Sequence, residues 1–150
     1  MATSETQLSK KCVQAKPKDY FAERIENSSG NGTADLVLSR DSIDTWIELK
    51  CCARPKNADT PINCKHIRKG QIQWHRRKRK AGCTTWILIQ VGSGKELCYY
   101  AFHSLHAPSL KEGMAETFYA GFAYRYGTDL ERVLDDLLIY NIDEAKRNAK

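Results

Sequence analysis

The sequence predicts an α/β fold in which one long helix covers a mixed β-sheet. Along its 150 residues, short apolar runs rich in β-branched and aromatic residues alternate with turn-forming residues, as expected for strands. A long polar segment with helical periodicity interrupts these runs after the third of them. The predicted order is therefore a short helix, three strands, a long helix and two further strands.

The elements before the long helix are predicted as a short helix and a three-stranded meander. Ser4 and Gln7 have the spacing of a capping box, which predicts a helix over residues 5–15. Residues 20–26 mix apolar and polar side chains as a strand does. Residues 32–50 hold two apolar runs around a short polar turn, which predicts a β-hairpin with a loop of several residues.

After the hairpin, the sequence predicts a loop, a basic helix and two strands. Residues 53–63 are polar and contain two prolines, which indicates a loop, and residues 64–81 predict the long helix, ending at Gly82. Residues 84–91 are the most apolar run and predict a central strand, with residues 97–102 as its hairpin partner.

The last third of the chain predicts short helical structure and a final amphipathic helix. Residues 104–120 are compatible with a short helix. An aromatic cluster follows, for which core or dimer packing is favoured over base stacking: Phe118, Tyr119, Phe122, Tyr124 and Tyr126. Thr128 and Glu131 predict a second capping box. An apolar stripe at helical spacing then predicts core packing, through Leu130, Val133, Leu134, Leu137 and Leu138.

Length and composition favour a single domain with a polyanionic partner. A chain of 150 residues fits one domain, and its formal charge of +6 suits a nucleic acid. No apolar run is long enough to cross a membrane, and the first residues lack the apolar core of a signal peptide. The expectation is a cytoplasmic protein with its six cysteines reduced.

Two acidic side chains and a lysine are predicted to meet on the hairpin. Glu48 and Lys50 point to the same face of their strand because side chains alternate. If the hairpin is centred near Ser42, Asp35 lies across from about Leu49 and diagonal to both. Two carboxylates so close repel each other, and Mg²⁺ would relieve that repulsion. The alternative is an ordinary salt bridge on a surface hairpin.

The helix predicted over residues 64–81 is strongly basic and contains no acidic residue. It therefore repels itself unless an anion is near, and phosphate is the natural counter-charge. The alternative is a solvated charged face. The predicted nucleic-acid-binding residues are Lys65, Arg68, Lys69, Arg76, Arg77, Lys78, Arg79 and Lys80. On its inward face, Trp74 is expected in the core, and Gln71 needs a partner such as a strand backbone, a water or a phosphate.

With these pieces in order, the chain resembles the PD-(D/E)XK nuclease superfamily. It looks most like the phage-type VRR-NUC domains and Holliday-junction-resolvase-like endonucleases. The matching segments are Glu26, Gly32-Thr-Ala-Asp35, Ile47-Glu-Leu-Lys50, Gln71-x-x-Trp74 and Ala81-Gly82. The family often has proline where this chain has Ala34. The resemblance covers residues 4–102 and implies a restriction-endonuclease-like core, with residues 103–150 as a C-terminal extension.

The resemblance implies hydrolysis of phosphodiester bonds in DNA with Mg²⁺ or Mn²⁺ as cofactor. Asp35, Glu48 and the backbone carbonyl of Leu49 would hold the ion, which activates the attacking water. Lys50 would orient the nucleophile or stabilise charge on the phosphate. Gln71 would be a further active-site residue.

The upstream acid of this site stays open between two residues. Glu26 fits the strand before the loop and would support a second ion or a bound water. Glu23 is the alternative, if the acid comes from nearer the first helix.

The expected partner is DNA, in the host cytoplasm if the chain is phage-encoded. Junctions, flaps, nicked duplex and linear DNA all remain open as substrates, and symmetric junction cleavage would require a homodimer. Two competing hypotheses are a non-catalytic nucleic-acid-binding module and a zinc-held domain using Cys51, Cys52, Cys64 and His66. The spacing of those residues fits no common zinc motif.

Overall fold

The computed structural model describes residues 4–15, 19–25 and 32–149. The helices are α1 (Glu5–Ala15), α2 (Lys69–Lys80), α3 (Ala107–Glu112), α4 (Glu116–Phe122) and α5 (Leu130–Asn148). The strands are β1 (Phe21–Arg24), β2 (Leu36–Arg40), β3 (Ile43–Cys52), β4 (Pro61–Ile62), β5 (Trp86–Val91), β6 (Cys98–His103), β7 (Met114–Ala115) and β8 (Arg125–Gly127). Within these described parts, no helix combines the length and apolar character needed to cross a membrane.

Six strands form one mixed sheet in the order β1-β2-β3-β5-β6-β8. Only the central pair, β3 and β5, is parallel, and α2 makes the crossover between them. The other neighbours in this sheet are antiparallel. Strands β4 and β7 form a separate two-stranded sheet. The predicted α/β class, mixed sheet and three-stranded meander are therefore confirmed.

Helices cover both faces of the sheet, whereas the sequence predicted one covering helix. Helices α1 and α5 pack on the face that carries Leu49, and their core includes the predicted stripe of α5. Residues from α3 and α4, together with Ile72 of α2, pack on the opposite face with Cys52. Because side chains alternate along β3, Glu48 and Lys50 lie on the α2 face.

The β2–β3 hairpin closes through a two-residue turn instead of the longer loop that was predicted. Asp41 and Ser42 both have positive φ, at 52° and 64°, as a type I′ turn requires. In the resulting register Leu36 pairs with Ile47. Continuing the register by one residue places Asp35 opposite Glu48, not opposite Leu49.

The predicted start of α1 is confirmed and that of α5 is wrong. In α1, Ser4 N donates to Gln7 Oε1 and Gln7 N donates to Ser4 Oγ, both at 3.1 Å. In α5 the N-cap is Asp129, one residue after Thr128, and its Oδ1 accepts a bond from Arg132 N at 3.2 Å. An aspartate is at least as good a cap as threonine, which explains the shift.

Two other predicted boundaries also change. The basic helix begins at Lys69, because Ile67 N bonds the Cys64 carbonyl in a separate turn before it. The first strand ends at Arg24, and Glu26 lies outside the described residues. Residues 104–120 form two short helices, α3 and the first part of α4, with β7 between them.

Gly32, in the segment before β2, packs against the backbone of the first turn of α2. It is buried with φ of +84°, and a Cβ there would overlap the Gly70 carbonyl group and lie 2.8 Å from Gln71 N. Both the positive φ and the backbone contact exclude a side chain. The loop that leads to Asp35 is therefore seated directly on the first turn of α2.

We expect Gly32→Ala to destabilise the protein by about 2–4 kcal/mol, because it adds overpacking to an unfavourable φ. Gly70→Ala is the matched control, since a Cβ at Gly70 meets nothing within 4 Å. In helix α2 that alanine should be neutral or stabilising by up to about 1 kcal/mol. Urea unfolding of both variants measures the difference. Equal midpoints would contradict the close packing at Gly32.

Candidate active site

Asp35 is held at the start of β2 by contacts with the strands on both sides. Its Oδ2 accepts a hydrogen bond from the backbone N of Leu49 at 2.9 Å. Its backbone carbonyl accepts a bond from Ile25 N at 2.8 Å. These two bonds fix the carboxylate beside β3, on the side where the register brings Glu48.

Gln71 connects the first turn of α2 to Glu48. Its Nε2 donates to Glu48 Oε1, and its Oε1 accepts a bond from the backbone N of Arg68 at 2.8 Å. Both ends of this buried amide are therefore satisfied, as burial requires. From the sequence we expected a strand backbone, a water or a phosphate as its partner. In the structure its partners are instead the backbone N of Arg68 and the carboxylate of Glu48.

Glu48 is a buried carboxylate whose charge is poorly compensated. Its side chain is 0% exposed, and its Oε2 has no hydrogen-bond partner in the described structure. Burial, followed by the negative charge of Asp35, raises the pKa of Glu48 to about 8, although Lys50 opposes that rise. Strong desolvation combined with a like charge is typical of functional carboxylates.

Lys50 lies between Glu48 and an acid that the sequence analysis did not select. Its Nζ is 3.3 Å from Glu48 Oε1 and 3.6 Å from Oε1 of Glu5, on the first turn of α1. Burial raises the pKa of Glu5, against the opposing charge of Lys50. The available signal was that Glu5 is the single acidic residue of α1.

Of the two acids proposed from the sequence for the upstream position, only Glu23 lies within the described residues, and it does not join this group. Glu23 is exposed on the edge strand β1, opposite Val37. Glu26 lies outside the described residues, so its role stays a prediction.

His66 is a second neighbour of Glu5. Its Nε2 lies 3.5 Å from Glu5 Oε1. Burial lowers the pKa of His66, and the positive charges of Lys50 and Lys111 lower it further, so the ring is neutral at pH 7. In the zinc-held alternative this histidine is a predicted metal ligand.

The donors at this point fit a hard divalent cation. The charge of Asp35 is near enough to raise the pKa of Glu48, and the unpartnered Oε2 of Glu48 is an oxygen donor without a competing bond. Magnesium is usually held by one or two carboxylates plus phosphate oxygens and water. Over the described residues, no group of three or more His, Cys, Asp or Glu side chains is arranged to hold a metal alone.

The basic segment presents most of its charge to solvent. Six of the predicted binding residues are exposed: Lys65, Arg68, Lys69, Arg76, Arg77 and Lys80. The other two are engaged within the protein. Lys78 Nζ lies over the rings of Trp46 and Trp74, at 4.9 and 5.4 Å, and Arg79 donates to Ser104 Oγ at 2.8 Å. Trp74 is half-buried at the helix surface, not in the core.

His75 lies within the basic helix α2 but does not belong to its basic surface. It is 1% exposed, and its Nδ1 lies 2.7 Å from Thr85 Oγ1. Burial, with the nearby charges of Arg79 and Lys50, lowers its pKa to about 4. The ring is therefore neutral and joins α2 to the sheet.

The fold defines the class to which the structure belongs, a restriction-endonuclease-like α/β fold. No protein-family model matches the chain, and no curated protein matches it. Among solved structures, it is similar to Archaeoglobus fulgidus Hjc, a Holliday junction resolvase from an archaeal hyperthermophile. That similarity has a TM-score of 0.52 at 13% identity and covers 87% of this chain and 96% of Hjc. It confirms the predicted fold.

The buried Glu48 makes a prediction about stability in the absence of metal. The folded protein keeps a proton on Glu48 up to a pKa of about 8, whereas a solvent-exposed glutamate of the unfolded chain loses it near 4.5. Between these values the folded state binds more protons than the unfolded state, so stability falls as pH rises. With EDTA present, we expect the free energy of unfolding to drop between pH 6 and 8, by at most about 1.4 kcal/mol per pH unit.

Glu48→Gln should remove most of this pH dependence because glutamine does not titrate. Glu23→Gln is the control, since Glu23 is exposed and should leave the slope unchanged. Urea unfolding at pH 6, 7 and 8 measures the slopes. Identical slopes in wild type and Glu48→Gln would show that Glu48 is not the titrating group.

Proposed function

We propose that this protein is a metal-dependent endonuclease that hydrolyses phosphodiester bonds in DNA. The observation that carries the proposal is a buried Glu48 that keeps one oxygen unpartnered, with Asp35 bonded to the backbone N of the next residue, Leu49. Lys50 lies 3.3 Å from the same carboxylate. The fold shared with Hjc, described as a Holliday junction resolvase, supports the same reaction class.

In the proposed site, Asp35 and Glu48 bind Mg²⁺ or Mn²⁺, with the Leu49 carbonyl as a further ligand. The bound ion supplies Lewis acidity and a lowered pKa for the attacking water. Gln71 holds Glu48 Oε1, so the unpartnered Oε2 is directed to the ion. Asp35 is oriented by its bond from Leu49 N.

Lys50 and Glu5 act on the scissile phosphate and the attacking water in the same site. The buried ammonium of Lys50 stabilises negative charge that develops on the scissile phosphate. Glu5 holds that ammonium in place through its contact at 3.6 Å and, when ionised, can accept a proton from the attacking water.

The exposed basic residues of α2 and the turn before it bind the DNA backbone. Arg68 is the N-cap of α2, and Gln71, the third residue of that helix, contacts Glu48. One helical turn therefore links the residues that bind the DNA backbone to the carboxylates. Contacts to phosphate position a duplex without reading its sequence. This arrangement favours selection by DNA shape over selection by base sequence.

As the specific substrate class we propose branched DNA, in the manner of a Holliday junction resolvase. Symmetric cleavage of a four-way junction needs two active sites and therefore a homodimer. The α5 stripe is buried in the core and cannot supply the contact. The exposed aromatic residues of α4, Phe118 and Phe122, at 60% and 50% exposure, are the surface proposed for it.

The test is a cleavage panel of four-way junction, flap, nicked duplex, linear duplex and single-stranded DNA, each with Mg²⁺, Mn²⁺ or EDTA. We expect cleavage with either metal, none with EDTA, and the fastest cleavage on the junction. Light scattering should report a dimer. Metal-independent, salt-sensitive binding without cleavage of any DNA would replace this proposal with a non-catalytic binding module.

Backbone binding by α2 also predicts the salt dependence of affinity. Arg77→Ala should weaken binding to all DNA sequences alike and reduce the slope of log K against log salt by about 1. Lys10→Ala removes the same charge from α1, on the opposite face of the sheet, and should leave the slope unchanged. Fluorescence anisotropy with EDTA at several salt concentrations measures both. Equal slopes for the two variants would show that the DNA backbone does not bind at α2.

A further inference from the structure

Cys52 and Cys64 contact each other through their thiols on the α2 face of the sheet. Their sulfur atoms lie 2.9 Å apart, closer than van der Waals contact between two sulfurs. Both residues are buried, at 7% and 0% exposure, and both are free thiols. The hydroxyl of Tyr119 lies 3.6 Å from Cys64 Sγ. The pair therefore has a defined geometry with a third polar group beside it.

Because side chains alternate between the two faces of β3, only one of the two adjacent cysteines on this strand can contact Cys64. Cys52 packs in the core under α3 and α4, together with Cys64. Cys51 points to the opposite face and packs against the core of α1 and α5. A serine at Cys51 therefore changes a neighbouring thiol without touching the pair.

We propose that Cys52 and Cys64 are a site of covalent modification, at which hydrogen peroxide converts the two thiols into a reversible disulfide. The site is separate from the carboxylates and does not rest on the proposed nuclease activity. Peroxide is close to water in size, which suits a pair that leaves only an edge of Cys52 exposed.

The two thiols have different roles in this chemistry. Hydrogen bonds from Cys52 and Tyr119, together with the charge of Lys50, lower the pKa of Cys64 against the effect of burial. The contact with Cys64 and burial raise the pKa of Cys52. The Tyr119 hydroxyl lies beside Cys64 and can stabilise its thiolate, so Cys64 is assigned as the attacking thiol, because the thiolate is the nucleophilic form.

The oxidation proceeds in two balanced steps. The Cys64 thiolate attacks one peroxide oxygen, the O–O bond breaks, and the released hydroxide takes a proton to leave as water, which forms a sulfenic acid. Cys52 sulfur then attacks Cys64 sulfur, the S–O bond breaks, and hydroxide leaves with the Cys52 proton as a second water. In total, two thiols lose two electrons to one peroxide.

The disulfide would join the two ends of the segment between β3 and α2 into a covalent loop. The bond links the residue two positions after Lys50 to the turn before α2 and encloses residues 53–63. Since such a cross-link restricts the unfolded chain, oxidation should raise the melting temperature by roughly 5–10 °C, reversed by dithiothreitol.

The experiment maps cysteine pairs in the full chain after peroxide treatment, alkylation under denaturing conditions and non-reducing digestion. Wild type and Cys51→Ser should both yield a cross-linked peptide joining Cys52 to Cys64. In Cys52→Ser the sulfenic acid lacks its partner, so dimedone should label Cys64 in that variant far more than in wild type. Cys52→Ala gives a second version of the same test should the serine variant fold poorly.

Two results would overturn the proposal. One is wild-type protein in which Cys52 and Cys64 are both recovered as free thiols while the exposed Cys83 is oxidised. The other is a cross-link joining Cys64 to Cys51 or Cys12 instead of Cys52. Both are read by mass spectrometry of untagged wild-type protein, so neither depends on a variant that folds.

Discussion

Glu48→Gln is expected to abolish Mg²⁺-dependent DNA cleavage, with a loss on the order of 10³-fold or more. That loss corresponds to about 4 kcal/mol of transition-state stabilisation. Glutamine keeps the shape of the side chain and can still accept the hydrogen bond from Gln71 Nε2. It removes the negative charge and replaces one oxygen with a nitrogen donor, which a hard cation does not accept as a ligand. The fold should therefore survive while metal binding fails.

Single-turnover cleavage of the preferred DNA, with calorimetric titration of Mg²⁺, measures both parts of this prediction. Asp44→Asn is the matched control, because Asp44 lies on the same strand but is exposed and bonds only the nearby Ser39 hydroxyl in the described structure. Its cleavage rate should stay within about two-fold of wild type. Near-normal rates in Glu48→Gln, with wild-type unfolding, would remove the basis of the proposed function.

The second large effect is expected at Glu5, where Glu5→Gln should reduce cleavage by roughly 10- to 100-fold. Glu5 contacts Lys50 from α1, outside the strands that carry the other site residues. Loss of its charge frees the Lys50 ammonium from one of its two carboxylate partners and removes a proton acceptor. The cleavage rate should therefore fall with little change in DNA affinity.

Two other acids test this assignment, since both were alternatives for the same position. Glu23→Gln should cleave as wild type does, because Glu23 is exposed on the edge strand. Glu26→Gln tests the prediction made from sequence. If Glu26→Gln is inactive and Glu5→Gln is fully active, the upstream acid comes from the loop after β1, and the contact of Glu5 with Lys50 is only structural.

Much of the site could be placed from sequence because it depends on local rules. Alternation along one strand puts Glu48 and Lys50 on the same face, and the hairpin brings Asp35 to them. The error of one residue in register came from the turn. The left-handed conformations of Asp41 and Ser42 make a two-residue turn without the usual Asn-Gly or Asp-Gly pair.

Other features were not predictable from local patterns because they arise from distant parts of the chain. Glu5 is separated from Lys50 by 45 positions, and no periodicity links a helix terminus to a strand face. The burial of the His75 side chain and the contact of Lys78 with two tryptophan rings likewise depend on the packing of α2 against the sheet. A run of basic residues does not by itself distinguish solvated charges from packed ones.

The sequence alone establishes that this protein has an α/β fold. It also establishes that Asp35, Glu48 and Lys50 lie on one hairpin and that a basic helix follows them. Those properties follow from side-chain alternation, helical periodicity and charge, which act over a few residues. Tertiary structure alone decided that Glu48 is desolvated, that Gln71 holds it, and that Glu5 completes the contacts of Lys50. Burial and approach between distant segments are properties of the packed chain, because they depend on which surfaces exclude water together.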